Sequence, residues 1–148
     1  MAKKNINKEF KSINEMKKEF FPKDVIPYLH NGKKVMPFKG EHLMMALKVK
    51  NNLESTKFLK DLLFQAIKES KATIMDYVEH KFEPQGYSLV VLIGESHASL
   101  HTYPEKNGIF FDFFTCGEIK TNIFKEHILN NLSIEKIVEL VTFERGEK

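Results

Sequence analysis

Residues 73–82 and 87–94 are two extended runs separated by little more than Pro84-Gln85-Gly86. That spacing constrains the fold more than any other feature of the chain. A turn this short folds the second run back on the first, so the two strands are antiparallel. The core of the second run, Leu89-Val90-Val91-Leu92-Ile93, is apolar on both faces, as in a central strand. Residues 41–50 alternate instead. Leu43, Met45, Leu47 and Val49 share one side and His42, Lys48 and Lys50 the other, the pattern of a half-buried strand. Within 73–82, Ile74, Val78 and Phe82 are expected on one side. Further extended structure is expected at 99–103, 109–115 and 136–144. Residues 55–70 predict a helix, capped by Ser55 and apolar along Phe58, Leu59, Leu62, Leu63, Ala66 and Ile67. Residues 119–131 predict another, with Ile119, Ile123, Phe124 and Ile128 inward. Strand, helix, several strands, helix, strand is the order of an α+β fold: a two-layer sandwich, one antiparallel sheet with helices on one face.

The chain has 148 residues, enough for one domain with a short appendage. Phe10, Ile13, Met16 and Phe20 fall at helical spacing, and Pro22 ends that pattern. Pro27, Gly32, Pro37 and Gly40 then punctuate a linker. Residues 1–39 are therefore read as an N-terminal extension and 40–148 as the functional domain. Residues 1–34 hold nine lysines and four acids, whereas 35–148 hold 14 basic and 16 acidic residues, so the positive charge is confined to the extension. Arginine, the usual bidentate reader of guanine and phosphate, occurs once, as Arg145. No nucleic-acid partner is expected. The apolar runs are far too short to span a bilayer, and no secretory signal follows the N-terminal lysines, so no membrane partner is expected. The single cysteine, Cys116, forms no intrachain disulfide, and a free thiol fits a reducing cytoplasm.

Reactive side chains crowd residues 95–117, which open Glu95-Ser96-His97-Ala98-Ser99-Leu100-His101-Thr102-Tyr103-Pro104-Glu105 and close Asp112-Phe113-Phe114-Thr115-Cys116-Gly117. His97 and His101 have the spacing of a zinc pair on a helix. In an extended segment, however, four residues span ~13 Å, and both ligands must lie ~2 Å from one ion. No metal site is expected. Cys116 lacks the surroundings of a hydrolase nucleophile, and the glycines are isolated, so no phosphate-cradling loop or dinucleotide fingerprint exists.

Four separated motifs stand in a telling order: Lys81-Phe82-Glu83-Pro84-Gln85-Gly86-Tyr87-Ser88, Glu95-Ser96-His97, His101-Thr102-Tyr103-Pro104-Glu105, and Phe114-Thr115-Cys116-Gly117. With Gly40-Glu41-His42-Leu43 and the terminal Glu144-Arg145-Gly146, they make residues 40–146 resemble the prokaryotic S-adenosylmethionine decarboxylases. The resemblance implies a pyruvoyl enzyme made as a proenzyme that cuts itself between Glu95 and Ser96. The Ser96 hydroxyl attacks the Glu95 carbonyl to give an ester, and a base removes the Ser96 α-proton. Elimination and hydrolysis then leave a pyruvoyl group, the self-derived cofactor, at the head of the second chain. In this resemblance His101 is the proton acceptor of processing and Ser88 assists it. The pyruvoyl group forms a Schiff base with the substrate amine and acts as the electron sink for decarboxylation, and Cys116 is the proton donor.

Phe82 is similar in position to an aromatic that stacks on adenine, and Glu105 to a carboxylate that holds the ribose hydroxyls. S-adenosylmethionine is then the substrate and spermidine synthesis the destination. The resemblance further implies a homodimer of processed protomers with sites at their interface. Some features depart from the usual pattern. Gly94 precedes the Glu-Ser pair where many relatives have Ser, Leu89 follows Ser88 where many have Gly, Ala98 replaces a Leu, and Glu41 stands where a basic residue is common. None deletes a reactive group, but they leave an arginine or ornithine decarboxylase of the same fold open as an alternative. A catalytically dead regulatory homologue is the other, against which the intact Ser96, His101 and Cys116 speak.

Overall fold

The computed structural model describes residues 37–147, together with the backbone of 29, 30, 33 and 34. The stripe Phe10 to Phe20 lies outside the described residues. Leu29–His30 (β1) and Lys33–Lys34 (β2) form a small antiparallel ladder. The body begins with Lys39–Val49 (β3) and Thr56–Glu69 (α1), followed by Ile74–Lys81 (β4), Tyr87–Ile93 (β5), Ser96–Tyr103 (β6) and Gly108–Cys116 (β7). It closes with Asn122–Asn131 (α2) and Ile134–Gly146 (β8). One 3-10 turn, Pro104–Lys106, links β6 to β7.

Strands β4 to β7 run as a meander, and β3 inserts between β7 and β8 to give the order β4-β5-β6-β7-β3-β8. Every pairing is antiparallel. Period-two alternation sends Leu43, Met45, Leu47 and Val49 to the same face as Leu89, Val91, Ile93, Leu100, Ile109, Phe111 and Phe113, all at most 2% exposed. Among the described residues, both helices lie on that face and none lies on the other, the helix-free face. The fold is the expected two-layer α+β sandwich.

Helix α1 begins where the Ser55 hydroxyl accepts the Phe58 N–H at 3.2 Å. Its buried residues Leu59, Leu62, Leu63, Ala66 and Ile67 recur at helical spacing. It ends where the Ser70 hydroxyl donates to the Ala66 carbonyl, 2.8 Å away, and Lys71 takes a left-handed φ of 66°. The start of α2 is held from far along the chain. Glu41 Oε1 on β3 accepts from the Thr121 N–H at 2.8 Å and from its hydroxyl at 2.6 Å, placing a carboxylate at the positive end of the helix. Phe124 is fully buried and stacks on Phe113 at 4.3 Å between ring centres. Truncating such a buried ring costs about 3–5 kcal/mol.

Three local expectations are corrected. Ile74, Val78 and Phe82 do not share a side. The register shifts between Ile74 and Asp76, so Tyr77 points to the core while Val78 is 64% exposed on the other face. Ile123 is not inward, because α2 turns Phe124 and Ile128 to the core and leaves Ile123 out. Strand β5 is central, but only its alternate residues Tyr87, Leu89, Val91 and Ile93 are covered. Val90 and Leu92 lie on the helix-free face and are exposed, as are Val78, Phe110 and Phe143.

Candidate active site

The hairpin between β5 and β6 pairs Ile93 with Ser96 and leaves Gly94 and Glu95 as its two-residue turn. Thr73, just before β4, grips that turn on both of its backbone groups. Its carbonyl accepts the Gly94 N–H at 2.8 Å, and its own N–H donates to Glu95 Oε1 at 2.7 Å. The Glu95 side chain is buried, and burial pushes its carboxyl above the usual carboxylate range, with the Thr73 N–H opposing. Glu95 Oε2 is buried without a hydrogen-bond partner among the described residues.

Strand β7 delivers Cys116 to the same turn. Its N–H donates to the Glu95 carbonyl oxygen at 3.0 Å, and its thiol donates to that oxygen at 2.9 Å. Two donors thus converge on one carbonyl, that of the peptide bond leading into Ser96. Burial pushes the thiol pKa up and the charge of Glu95 adds to this, while a hydrogen bond with Ser96 and the Cys116 backbone oppose it. The thiol keeps its proton through the neutral range, as a donor must. The close fit of β3 helps to fix Cys116. Gly40 pairs with it in register, and a β-carbon at Gly40 would fall 2.6 Å from the Phe114 ring and 2.7 Å from the Thr115 carbonyl.

The other candidate residues gather at the opposite end of the sheet. Ser88 on β5 pairs with His101 on β6, and Ser88 Oγ lies 2.8 Å from His101 Nδ1. Phe82 is half exposed beside the β4–β5 turn, edge-on to His80 at 4.5 Å between ring centres. Gln85 in that turn donates to Glu105 Oε1 at 2.9 Å. The chain therefore brings Glu95, Ser96 and Cys116 together, and separately Phe82, Ser88, His101 and Glu105. His101 stands five residues beyond Ser96 on one strand, roughly 16 Å away at ~3.3 Å per residue. By strand alternation Cys116, Ser88 and His101 all lie on the helix-free face.

Between the two groups is a cluster that local sequence pattern does not expose. Asp112 Oδ1 lies 3.1 Å from His42 Nε2 and 3.2 Å from His97 Nε2, and Asp112 Oδ2 accepts from the Ser99 hydroxyl. Arg145 sits with its guanidinium 4.2 Å above the Phe114 ring and Nη1 3.3 Å from His42 Nδ1. The ligand atoms of His42, His97 and Asp112 are within 4.8 Å of one another, a spacing compatible with a metal. The hydrogen bonds favour a proton network instead. A guanidinium only donates, so His42 Nδ1 accepts and its Nε2 carries the proton toward Asp112. A metal at Nε2 would put an N–H against the guanidinium.

Comparison with known proteins bears on the whole of this sheet. Residues 42–146 match the family model described as S-adenosylmethionine decarboxylase. The S-adenosylmethionine decarboxylase proenzyme of Thermodesulfovibrio yellowstonii is 39% identical over 110 residues, 72% of this chain and 81% of that one. That of Methanococcus vannielii is 37% identical over 111 residues, 72% of this chain and 89% of its own. The crystal structure of the adenosylmethionine decarboxylase from Aquifex aeolicus superposes with a TM-score of 0.68 at 29% identity, covering 76% of this chain and 94% of that one. The matched region runs from β3 to the end of β8 and carries every candidate residue, from Phe82 to Cys116; this chain belongs to the S-adenosylmethionine decarboxylase family.

Proposed function

We propose that the chain is a self-processing, pyruvoyl-dependent S-adenosylmethionine decarboxylase, a carboxy-lyase that supplies the aminopropyl donor of spermidine synthesis in the cytoplasm. The observation that carries this reading is the Glu95 carbonyl, held by the Cys116 N–H and thiol at 3.0 and 2.9 Å. Donors aimed at a carbonyl stabilise the negative charge that develops on its oxygen when a nucleophile adds. The neighbouring hydroxyl is that of Ser96. Its Oγ adds to the Glu95 carbonyl carbon, the electron pair moves to the oxygen between the two Cys116 donors, and the Ser96 nitrogen departs, leaving an ester. A base then takes the Ser96 α-proton, and Glu95 leaves as a free carboxylate. Water releases ammonia from what remains, and residue 96 becomes the pyruvoyl group.

The base assigned to that step is His101, oriented by Ser88 through Nδ1. Roughly 16 Å of strand keeps it from Ser96 of its own chain, so we assign it to the site of a second copy. A homodimer packed across the helix-free face would bury Val78, Val90, Leu92, Phe110 and Phe143, large apolar side chains now open to water. It would also set the Phe82, Ser88, His101 and Glu105 end of one protomer against the Glu95, Ser96 and Cys116 end of the other.

Once formed, the pyruvoyl group supplies an electrophilic carbonyl and an electron sink for loss of carbon dioxide. The residues around position 96 suit it, because Cys116 presents a protonated thiol beside that position. In turnover Cys116 delivers a proton to the substrate α-carbon. Phe82, exposed and flat, offers a face to adenine and its sulfonium neighbour. Glu105 offers a carboxylate to the ribose hydroxyls in place of its bond to Gln85. Carbon dioxide release from S-adenosylmethionine, arginine and ornithine, measured side by side with purified protein, tests the reading. Release from S-adenosylmethionine alone is expected. Release from arginine or ornithine alone would overturn the substrate assignment, and release from none would favour a dead homologue.

A further inference from the structure

The Glu95 side chain has no part in the chemistry above, yet its burial is conspicuous. It is 2% exposed, and the other buried polar residues among those described are Ser and Thr. Burying a carboxyl is costly unless it is paired, and two-residue hairpin turns ordinarily carry small or turn-forming residues. Glu95 turns its side chain back under the turn to take the Thr73 N–H. The Thr73 carbonyl meanwhile takes the Gly94 N–H. A single peptide residue ahead of β4 thus clips the turn from both sides, while Cys116 holds the turn's carbonyl from β7.

We propose that the Glu95 side chain is a positioning residue for self-cleavage: through Thr73 it fixes the turn so that the Glu95 carbonyl lies between the Cys116 N–H and thiol. The inference rests on the cut between Glu95 and Ser96 assigned above. Reach decides the effect. Shortening the side chain by one methylene withdraws the acceptor by about 1.5 Å and takes a 2.7 Å bond beyond hydrogen-bonding distance. Without the clip, two-residue turns sample other peptide orientations and the carbonyl leaves its donors. Glutamine keeps both the reach and the acceptor. It also matches the uncharged acid that burial favours here, Oε2 being without a hydrogen-bond partner among the described residues.

The test compares Glu95→Gln, Glu95→Asp and Glu95→Ala with wild type, in full-length chains made by cell-free translation. Intact mass follows cleavage over time, and turnover is measured per cleaved chain. Glu95→Gln should cleave within about threefold of wild type. Glu95→Asp and Glu95→Ala should cleave at least about tenfold more slowly, the loss expected when one hydrogen bond to a buried group is removed. Turnover per cleaved chain should fall far less than cleavage does. Cleavage of Glu95→Asp at the wild-type rate, or Glu95→Gln as slow as Glu95→Ala, would overturn the proposal. So would an equal loss of cleavage and turnover, which marks a general structural defect. A wild-type chain that never cuts would sink the cut-site assignment itself, and this inference with it. Amide exchange at Thr73 in the uncleavable Ser96→Ala protein provides a check that needs no processing. The Thr73 N–H should be protected, and should lose protection when Glu95→Asp is added; equal protection in both would refute the clip.

Discussion

Replacing His101 by Ala in one population of chains should leave cleavage very slow, and replacing Ser96 by Ala in another should abolish it, yet a mixture should recover cleavage. The reason is distance. His101 and Ser96 lie on the same strand, separated by roughly 16 Å, whereas proton abstraction needs approach to about 3 Å. In a two-fold dimer each site would take Ser96 and Cys116 from one protomer and His101 from its partner. A mixed dimer then holds one site with both residues replaced and one with both intact. Random pairing makes about half of the dimers mixed, so about half of the His101→Ala chains should be cut and about a quarter of wild-type turnover regained. Co-expression with two different tags, then intact-mass analysis, reads this directly. The cut chain should be the His101→Ala chain, and the Ser96→Ala chain should stay whole. His101→Ala alone should process about 10²- to 10⁴-fold more slowly, the usual worth of a general base. A mixture in which nothing is cut, or unimpaired cleavage of His101→Ala alone, would refute the division of the site between two chains.

Cys116→Ala should process slowly and turn over about 10²- to 10⁴-fold less well, and misdirected protonation should convert its pyruvoyl group to alanine, visible by mass. Because burial raises the thiol pKa, wild-type turnover should hold through the ordinary thiol range and fall only at higher pH; a fall near neutrality would contradict the assignment. Phe82→Ala and Glu105→Gln should each lower kcat/KM for S-adenosylmethionine, Glu105→Gln by about ten- to a hundredfold for one or two charge-assisted hydrogen bonds, measured as carbon dioxide release; a normal value in both would remove them from the site. The raised carboxyl pKa of Glu95 also predicts a stability trend, to be read by urea unfolding in the Ser96→Ala background. The folded state holds a proton that the unfolded chain releases near 4.5, so the stability this group contributes is present below that pH and is lost as the pH rises through the raised value. Glu95→Gln should flatten that loss, and an equal pH dependence with and without it would refute it.

The antiparallel sheet was legible because its signals are local. The turn Pro84-Gln85-Gly86 joins β4 to β5, and the alternation from Leu43 to Val49 marks the buried face of β3. Local signals failed where the chain breaks period: a register shift after Ile74 moved Val78 to the open face, against the expectation from spacing. They found α2 but not its start, which falls at Asn122 rather than 119 and is held at Thr121 by Glu41, 80 residues earlier in the chain. The candidate residues came from their motifs, but their division between two ends of the sheet could not be read from motif order. It was nevertheless contained in residue spacing, since extended chain that holds His97 apart from His101 holds Ser96, one residue further back, apart from it as well. The Asp112 cluster had no local signal. His42 and Asp112 meet only because β3 and β7 pair with Met44 opposite Asp112.

Intact-mass analysis of the purified chain tests self-processing most directly. Two fragments of 95 and 53 residues are expected from the 148-residue chain, the second blocked at its N-terminus and lighter by one ammonia than a serine-headed peptide. A single uncut chain of 17.3 kDa after prolonged incubation, or a cut at any other bond, would contradict the assignment of Glu95 and Ser96.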